Sequence, residues 1–489
     1  MTLSSAEEFG FPLVKPSDDK YEFYRMGRNF STNDVKRQVA GVAVPRTVDE
    51  VIAAVQHAGR NNLTIGVRSG GHSFNAPAVR DNALLIDLIQ LKEVSFDEET
   101  EIVTASPSST GKIVNGYLKS KGYWFPGGHC DGVGLGGFLS QGGAGFMWRS
   151  IGWAASLIEW MDVVTADGRL VHVSHHENTE LLWAFVGSGP GYFGVVVRFG
   201  LKCPKLSKHH LRSVLLFGQS EYKDVMKWCL DIGETVAPST EMFASSILRE
   251  KFLPGGDPKE ALLRVQCSAW TDSFEAGQAI LTFMESAPHL DKAYHTEFCQ
   301  PASLEAEYQV QIDINPVGQY FVTNGWFAGD HGRVTDLLEK PFLTLPSADS
   351  YSMMYSMQPR MSRHHFANDI SSGIYVISYA IAADSDETPD LADKCKTWIQ
   401  DTWRPIDEAS REAAASGDPS APRSVGYYTG DCNQEIRPGR FMSEQNWVKW
   451  VGIRDRYDPS HRFVGYLNNT EFTLNWNAWE GAPPANRPV

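Results

Sequence analysis

The segment VRSGGHSFNAP runs from Val67 to Pro77. It places His72 directly after two glycines, at the end of an apolar run that predicts a β-strand. A second stretch, PGGHCDGVGLGGFLSQGGAG from Pro126 to Gly145, sets Cys130 among glycines in a similar way. Glycine-dense loops suit a backbone that turns through positive φ or approaches a ligand closely. The two loops therefore predict a binding site with two nucleophilic side chains, an imidazole and a thiol.

The residues before the first glycine loop predict a strand, a helix and a second strand. Thr47 and Glu50 form a capping box, and apolar residues then recur at helical spacing as far as the segment GRNN. The strand LTIGVR follows and runs into the loop. Because α/β folds tend to bind ligands where strands end, we expect His72 to lie at a binding site.

The segment after the second glycine loop predicts two apolar strands joined by a tight turn at Asp167 and Gly168. Up to about Leu201 the pattern indicates one compact α+β unit. From about residue 206 to 420 the sequence changes to longer aromatic strands, such as YSMMYSMQPRM, between helix-like runs such as LADKCKTWIQDTW. This change predicts a second domain built on a mostly antiparallel sheet backed by helices.

Composition and charge restrict the classes of binding partner that we expect. The 489-residue chain has a formal net charge of −15 at pH 7 and an ordinary globular share of hydrophobic residues, 42%. Nucleic acids and anionic membranes need clustered Lys and Arg, so we expect neither as a partner. A small-molecule substrate is favoured, with the protein a monomer or a homodimer. The sequence shows no signal peptide and no membrane-spanning run, which predicts a cytoplasmic location.

Two familiar site types are not favoured. The seven cysteines include no C-x-x-C pair, and no H-E-x-x-H spacing links the 14 histidines, so we expect no metal site. Gly132, Gly134 and Gly137 match G-x-G-x-x-G, with Glu159 at about the expected distance. A Rossmann loop needs a buried strand before it, however, and GYWFPGGHCD is a poor strand. The glycines still suit the pyrophosphate of any dinucleotide, FAD included.

Longer motifs carry a family resemblance. RSGGHS, GGHCDGVGLGGFLSQGGAGFMWRSIGWAASLIEWMDVVTADG, LLWAFVGSGPGYFGVVVRF and the late RYDPSHRF occur in this order. Together they resemble the berberine-bridge-enzyme-like (BBE-like) oxidases of the vanillyl-alcohol-oxidase/PCMH-type FAD-binding flavoproteins, in the subgroup with bicovalent FAD. The resemblance covers roughly residues 38–203 and 445–470. It implies that FAD is bonded to His72 through the C8 methyl carbon and to Cys130 through C6.

The resemblance also implies a two-domain α+β fold with an inserted substrate domain. The expected FAD-binding domain comprises residues 1–205 and is completed by the C-terminal segment 426–489, whereas residues 206–425 form the substrate-binding domain. Further FAD contacts are implied on the two glycine loops, on the later GYFGVVV segment and near the C-terminus: Arg68, Ser69, Gly70, Gly71, Ser73, Val133, Gly134, Gly137, Gly142, Gly143, Gly145, Gly194, Val195 and Asn468.

Flavin oxidation usually needs a base that takes the substrate O–H or N–H proton as hydride leaves. The resemblance implies that this base lies in GYYTGDCNQ, where relatives tend to have an asparagine-tyrosine pair before an aspartate. This chain has Tyr428 and Thr429 at those two places. We therefore expect Tyr428 to be the catalytic base, with Tyr427 and Asp431 as substitutes. A cation such as Arg363 would lower the pKa of the tyrosine.

The implied activity is that of an FAD-dependent oxidase. A hydride passes to FAD from a hydroxyl-bearing or amine carbon of a bulky small molecule, either a secondary metabolite or a saccharide. In relatives, a small residue at the position of Val133 goes with oxidase behaviour, so we expect O2 as the acceptor and H2O2 as the product. Two alternatives stay open: a redox-neutral or oxidative cyclase of natural-product biosynthesis, and a dehydrogenase with another acceptor.

The expected substrate domain is rich in residues that stack on planar or sugar ligands but also fill cores. Alternation along a strand places about half of them on each face, so both roles stay open. The aromatic residues concerned are Tyr320, Phe321, Trp326, Tyr351, Tyr355, Tyr375 and Tyr379. His364, His365 and Glu297 are further candidates for facing the substrate.

Overall fold

The computed structural model describes residues 6–357, 366–385, 388–437 and 439–465. Its strands are β1 (Leu13–Val14), β2 (Gly41–Ala43), β3 (Thr64–Arg68), β4 (Ala83–Asp87), β5 (Val94–Asp97), β6 (Ile102–Ala105), β7 (Ile158–Thr165), β8 (Leu170–Ser174), β9 (Gly194–Lys202), β10 (His209–Phe217), β11 (Thr240–Leu248), β12 (Ala261–Thr271), β13 (His295–Pro301), β14 (Gly318–Ala328), β15 (Tyr351–Ser356), β16 (Ile374–Ala383) and β17 (Arg423–Gly426). Its α-helices are α1 (Ala6–Phe9), α2 (Tyr21–Arg25), α3 (Val48–Arg60), α4 (Gly111–Leu118), α5 (Leu135–Ser140), α6 (Trp148–Ile151), α7 (Thr179–Phe185), α8 (Tyr222–Gly233), α9 (Phe274–Leu281), α10 (Leu304–Ile314), α11 (His331–Leu343), α12 (Thr388–Ser416) and α13 (Glu444–Tyr457).

Three sheets organise these elements. A four-stranded sheet has the order β1-β2-β4-β3, in which β4 runs parallel to both of its neighbours. A five-stranded antiparallel sheet has the order β5-β6-β9-β7-β8. The third sheet has eight antiparallel strands in the order β13-β10-β12-β11-β15-β16-β14-β17. The fold is therefore α+β, and the antiparallel sheet expected in the second half of the chain is confirmed.

Local signals in the sequence account for the strand-helix-strand unit before the first glycine loop. Thr47 accepts a hydrogen bond from the Glu50 N–H at 3.2 Å, and the Glu50 carboxylate accepts one from the Arg46 N–H at 2.6 Å. The first bond satisfies an N–H that the first turn of α3 leaves unpaired, and the second ties the Glu50 side chain to the residue before the N-cap Thr47. The predicted capping box and helix are thus confirmed. The hairpin of β7 and β8 is confirmed as well, and Gly168 in its turn has a φ of +79°.

The chain returns to the first sheet near residue 460. The helix α13 packs against α7, and the Trp450 indole N–H donates to Ala184 O at 3.1 Å. Ile65 of β3 donates its N–H to Arg462 O at 2.7 Å and accepts from the Val464 N–H at 2.8 Å. These contacts support our proposal that the C-terminal segment completes the unit formed by residues 1–205 for its described part from about Glu444 to Gly465, whereas Tyr428, Asp431 and Arg437 bond to β14 of the eight-stranded sheet.

Apolar side chains bury both faces of the eight-stranded sheet. One face packs against α8, α11 and α12 around residues such as Met354 and Trp403. The other face carries an aromatic cluster that includes Tyr375 and Trp326 and contacts Trp148 and Trp153, just beyond the second glycine loop. This second face therefore points towards the glycine loops. In the described ranges, no helix is long and apolar enough to cross a membrane.

Candidate active site

The two glycine loops meet backbone to backbone. A Cβ added to Gly70 would lie 2.6 Å from Gly134 N, and a Cβ added to Gly134 would lie 2.7 Å from Gly70 N. Only glycine fits at such a distance. The Ser69 hydroxyl also accepts a hydrogen bond from the Gly137 N–H at 3.2 Å. The loop that follows β3 is thereby fixed against the loop that leads into α5.

His72 and Cys130 line the same cavity between these loops and the eight-stranded sheet. The His72 ring stacks on Phe30 with 4.1 Å between centroids, and Cys130 Sγ lies 4.0 Å from Gln311 Oε1 on α10. Burial lowers the pKa of His72 to about 4 and raises the pKa of Cys130 to about 12. At neutral pH His72 is therefore a neutral imidazole with a free lone pair, whereas Cys130 is a protonated thiol.

The cavity wall fits a dinucleotide. Arg68 lies at the end of β3, where its guanidinium pairs with the buried Asp87 at 2.7 Å, yet its buried Nε has no hydrogen-bond partner in the described part of the chain. Its two Nη atoms donate to Arg25 O, Tyr24 O and Asp87, so Nε is the donor left for a phosphate oxygen beside the glycine loops. The predicted contact residues that line the cavity are Arg68, Ser69, Gly70, Gly71, Ser73, Val133, Gly134, Gly137 and Gly194.

Four other predicted contacts lie behind the cavity wall. Gly142 and Gly143 have φ values of +105° and +81°, and a Cβ on either would collide with Trp153 or Phe138, so they serve the turn. Gly145 packs against the backbone of Pro126 and Gly127. Val195 is fully buried in β9, and its neighbour Val196 faces the cavity instead, because adjacent strand residues point to opposite sides. Asn468 lies outside the described residues.

Alternate residues of β15 and β16 form the opposite wall. Tyr351, Met353 and Tyr355 of β15 face the cavity, as do Tyr375, Ile377 and Tyr379 of β16. Four of the seven aromatic candidates therefore line the cavity. Tyr320 and Trp326 pack within the aromatic cluster instead, and Phe321 packs against Ala380 on the far face of the sheet. The alternative between stacking residue and core residue is thus decided strand by strand.

Asp431 is the acidic residue of this cavity that stands best placed for proton transfer. Its Oδ2 accepts a hydrogen bond from the Tyr375 hydroxyl at 3.1 Å, and both residues line the cavity. Burial raises the pKa of Asp431 to about 6, against the lowering effects of Tyr375 and His129. Tyr375 itself has its pKa raised by burial and so keeps its proton. Sequence reasoning named Asp431 only as a substitute and did not pair it with Tyr375.

The two tyrosines that the sequence favoured are differently placed. Tyr428 lines the cavity, but its hydroxyl accepts a hydrogen bond from the Ala144 N–H at 3.2 Å, its ring packs on Trp153, and burial raises its pKa. Tyr427 does not line the cavity: it is buried in the core, where its hydroxyl accepts a hydrogen bond from Gln434 and its ring packs on Phe441. Adjacent residues point to opposite sides, which explains the difference.

A histidine that the sequence analysis missed also faces the cavity. His129 Nε2 lies 2.9 Å from Glu241 Oε1 on β11, and Glu241 Oε2 accepts from the Met147 N–H at 3.1 Å. Burial acts to lower the pKa of His129, but the Glu241 carboxylate outweighs it, and the pKa is raised. The position of His129 in GGHC, directly before Cys130, was the available signal. Glu297 pairs with Arg212 away from the cavity, and residues 363–365 lie outside the described ranges.

Comparison with known proteins agrees with this geometry. Residues 39–174 match the FAD binding domain family model. The FAD-linked oxidoreductase janO of Penicillium janthinellum is 29% identical over 450 residues, which is 92% of this chain and 95% of that protein.

Solved structures share the fold. The BBE-like 1 protein of Physcomitrella patens superposes with a TM-score of 0.77 at 14% identity, over 97% of this chain and 99% of that one. The glucooligosaccharide oxidase of Acremonium strictum, which carries a 6-S-cysteinyl, 8α-N1-histidyl FAD, superposes with a TM-score of 0.73 at 17% identity, over 95% and 97% of the two chains.

Proposed function

From the premise that this chain is an FAD-dependent oxidoreductase with the vanillyl-alcohol-oxidase/PCMH-type fold, we propose that it is an oxidase. Its substrate is a bulky small molecule, a secondary metabolite or a saccharide, that loses a hydride from a hydroxyl-bearing or amine carbon. The matches above confirm the expected resemblance to BBE-like flavoproteins. FAD, when bound, supplies the oxidising power, taking the hydride and delivering the electrons to O2 to give H2O2.

Covalent attachment of FAD through His72 and Cys130 is part of the proposal. It is supported by the place of both side chains on one cavity wall and by the neutral state of His72, whose lone pair is available for bonding. The same two residue types hold the FAD of the Acremonium strictum oxidase. Two bonds would retain the cofactor in a cavity wide enough for a bulky substrate.

The proton acceptor in the proposal is Asp431, with Tyr375 as its hydrogen-bonding partner. With a pKa of about 6, Asp431 is ionised at neutral pH yet basic enough to take a proton from a substrate O–H. Tyr375 orients one carboxylate oxygen at 3.1 Å and leaves the other free for the substrate. Tyr428 is less suited, because burial raises the pKa of its hydroxyl in spite of the Ala144 N–H bond, which acts to lower it.

One observation carries the whole proposal. A single cavity is lined by His72 and Cys130 of the glycine loops and by Asp431 with the tyrosines of β15 and β16. A cofactor held by the glycine loops would therefore share the cavity with a substrate held against the sheet. The aromatic and apolar wall formed by the sheet fits a substrate with a planar or ring-shaped body.

Covalent attachment is tested by acid precipitation of the wild type, His72→Ala, Cys130→Ala and the double variant. We expect flavin absorption to stay with the wild-type protein and with each single variant, and to be lost only from the double variant. Intact-mass spectra check the same outcome. A colourless wild-type precipitate with unmodified mass would exclude covalent attachment and leave a cofactor held by backbone contacts.

The reaction class is tested by mixing the holoenzyme anaerobically with 4-methoxybenzyl alcohol, geraniol and xylobiose, chosen as an aryl, an apolar and a saccharide probe. Bleaching of the flavin followed by stoichiometric H2O2 on aeration supports the oxidase. A product formed without bleaching indicates the redox-neutral cyclase. Bleaching with slow recovery in air indicates a dehydrogenase with another acceptor.

A further inference from the structure

The turn that carries Asp431 is held by one buried side chain of the eight-stranded sheet. The strand β17 pairs with β14 only as far as Gly426, which lies opposite Trp326. Asn324 lies two residues before Trp326 on β14. Its side chain bonds to the segment that follows β17. Its Nδ2 donates to Tyr428 O at 2.8 Å and to Asp431 O at 2.7 Å. Its Oδ1 accepts from the Tyr428 N–H at 2.8 Å.

Asn324 uses both ends of its amide in these three bonds and is fully buried. A second set of bonds fixes its backbone. Arg437 Nη1 donates to Asn324 O and to Thr323 Oγ1, each at 3.0 Å, and the same guanidinium pairs with Asp407 at 2.6 Å. Any other orientation of the Asn324 side chain would leave a buried polar group without its partner, which costs free energy. These bonds therefore fix the Asn324 side chain in one position.

The bonds from Asn324 reach the first and the last residue of the four-residue segment 428–431, which we call the base turn. Gly430 lies inside it, where a Cβ would collide with the Tyr428 ring, so the turn closes tightly. The Tyr428 ring points from the turn towards Trp153, and the Asp431 carboxylate accepts the hydrogen bond from the Tyr375 hydroxyl. The position of the carboxylate thus follows from the position of the turn.

We propose that Asn324 is a positioning residue for catalysis: its amide holds the base turn in the register that presents the Asp431 carboxylate to Tyr375 and to the cavity. This inference rests on the proposed role of Asp431 as proton acceptor. Asn324 contacts the backbone of the turn at Tyr428 and Asp431 and does not line the cavity, so it acts through the turn and not on the substrate directly.

A shift of the base turn would be visible in the titration of Asp431. The titratable groups that face this carboxylate come from the second glycine loop, β15, β16 and the turn itself: His129, Cys130, Tyr355, Tyr375, Tyr379, Tyr428 and Cys432. Burial raises the pKa of each of these thiols and phenols, so they stay neutral near pH 6. His129 is the remaining titratable group of this set; nearby carboxylates, Glu241 first, raise its pKa above the ordinary value, and it does not lie on the turn.

The test uses sulfite, an anion that adds reversibly to oxidised flavin and bleaches it, and therefore needs no substrate. Sulfite affinity of the holoenzyme is measured between pH 4.5 and 8 in wild type and in Asp431→Asn, ranges chosen to bracket the pKa of about 6. Sulfite itself titrates in the same way in both measurements, so subtracting the Asp431→Asn curve from the wild-type curve removes its contribution. We expect a step in that difference near pH 6, with weaker binding above it because the carboxylate repels the anion.

Asn324→Asp and Asn324→Ser should move this step by more than about half a pH unit, or abolish it, since both change the bonds that fix the turn. With a substrate in hand, kcat should fall roughly 10- to 100-fold with little change in KM, because a displaced base loses its alignment. Thr323→Val is the matched control: it is buried on the same strand and bonded to Arg437, but it does not touch the base turn. Its step should stay in place.

Folded Asn324 variants with an unmoved step would overturn the positioning role alone. If neither Asn324 variant folds, Gly430→Ala displaces the turn with Asn324 intact, and an unmoved step there would equally overturn it. Identical curves for wild type and Asp431→Asn would remove the proposed base itself, and the positioning role with it. A moved step confined to the Asn324 and Gly430 variants supports the proposal.

Discussion

At the scale of single residues, the proposed chemistry depends on the Asp431 carboxylate, whose pKa is raised by burial. We expect Asp431→Asn to slow anaerobic flavin reduction by about 100-fold or more, because an amide cannot accept the substrate proton. In the wild type the rate should fall as the pH drops through about 6, where Asp431 becomes protonated. Stopped-flow reduction across this range measures both effects. Tyr375→Phe keeps the carboxylate and should cost less, and equal rates in wild type and Asp431→Asn would contradict the assignment.

The same carboxylate should weaken the fold at neutral pH. The folded-state pKa of Asp431 is raised from 3.8 to about 6, so its contribution to stability is fully present below pH 3.8 and is lost as the pH rises through 6. Asp431→Asn has no such loss. Its Tm should exceed that of the wild type at pH 7.5, and the gap should shrink at pH 4.5. A gap that is constant with pH, measured by calorimetry, would argue against the shifted pKa.

Gly70 offers a residue-scale test of the meeting of the two loops. Gly70→Ala places a methyl group 2.6 Å from Gly134 N, so the loops must separate and FAD retention should be lost. Gly116→Ala is the control, because a Cβ there meets nothing within 4 Å and the residue lies inside α4. Flavin content per folded protein is the measurement. Full flavin content in Gly70→Ala would show that the close contact is dispensable.

What the sequence predicted at this scale depended on local pattern. His72 and Cys130 stand in glycine motifs and were found from them. The pairing of Asp431 with Tyr375 was not found, because 56 residues separate the two along the chain and only the register of β16 brings them together. His129 was missed for a similar reason, since its partner Glu241 lies on a distant strand.

At the scale of elements, β15 presents two adjacent methionines to opposite environments. Met353 faces the cavity, whereas Met354 is fully buried in the cluster behind the sheet. Met354→Ala should lower the free energy of unfolding by about 2–5 kcal/mol through the cavity it leaves. Met353→Ala should cost clearly less, because its side chain borders open space. Urea unfolding of the two variants compares them directly, and equal losses would contradict the alternation.

The aromatic character of β15 and β16 is readable from the sequence, but which of their residues face the cavity is not. Both faces of the sheet are buried, one against helices and one against the glycine-loop unit, so apolar residues occupy every position of β15 and β16 except a few serines. A polar-apolar alternation, which would reveal the outward face, is therefore weak. Only the register between strands decides which tyrosines meet the substrate.

At the scale of the whole molecule, segments that lie far apart in the sequence pack together. The N-terminal sheets and the late segment around Phe463 form one unit, with the eight-stranded sheet between them in sequence. The resemblance carried by RSGGHS and RYDPSHRF implies this arrangement, which stays a prediction. The boundary near residue 426 does not follow from the sequence pattern, because the base turn is bonded to β14 although it follows the last strand of the sheet.

Closure by the late segment is testable. Phe463 is buried at its bridge with Ile65 of β3, so Phe463→Ala should cost about 3–5 kcal/mol of unfolding free energy. Phe252→Ala, at a side chain that is 44% exposed, is the control and should stay within about 0.5 kcal/mol. Chemical denaturation of both variants provides the values. A small loss at Phe463 would mean that the late segment adds little to the first unit.

The alternation along β15 and β16 also bears on how such an enzyme diversifies. Residues that line the cavity and residues that pack the sheet against its helices alternate along the same strands, yet they lie on opposite faces. A substitution such as one at Ile377 reshapes the cavity while Val376 and Met354 keep the core intact. The two strands therefore separate evolvability from robustness, and a lineage can acquire a new substrate without first having to rebuild its fold.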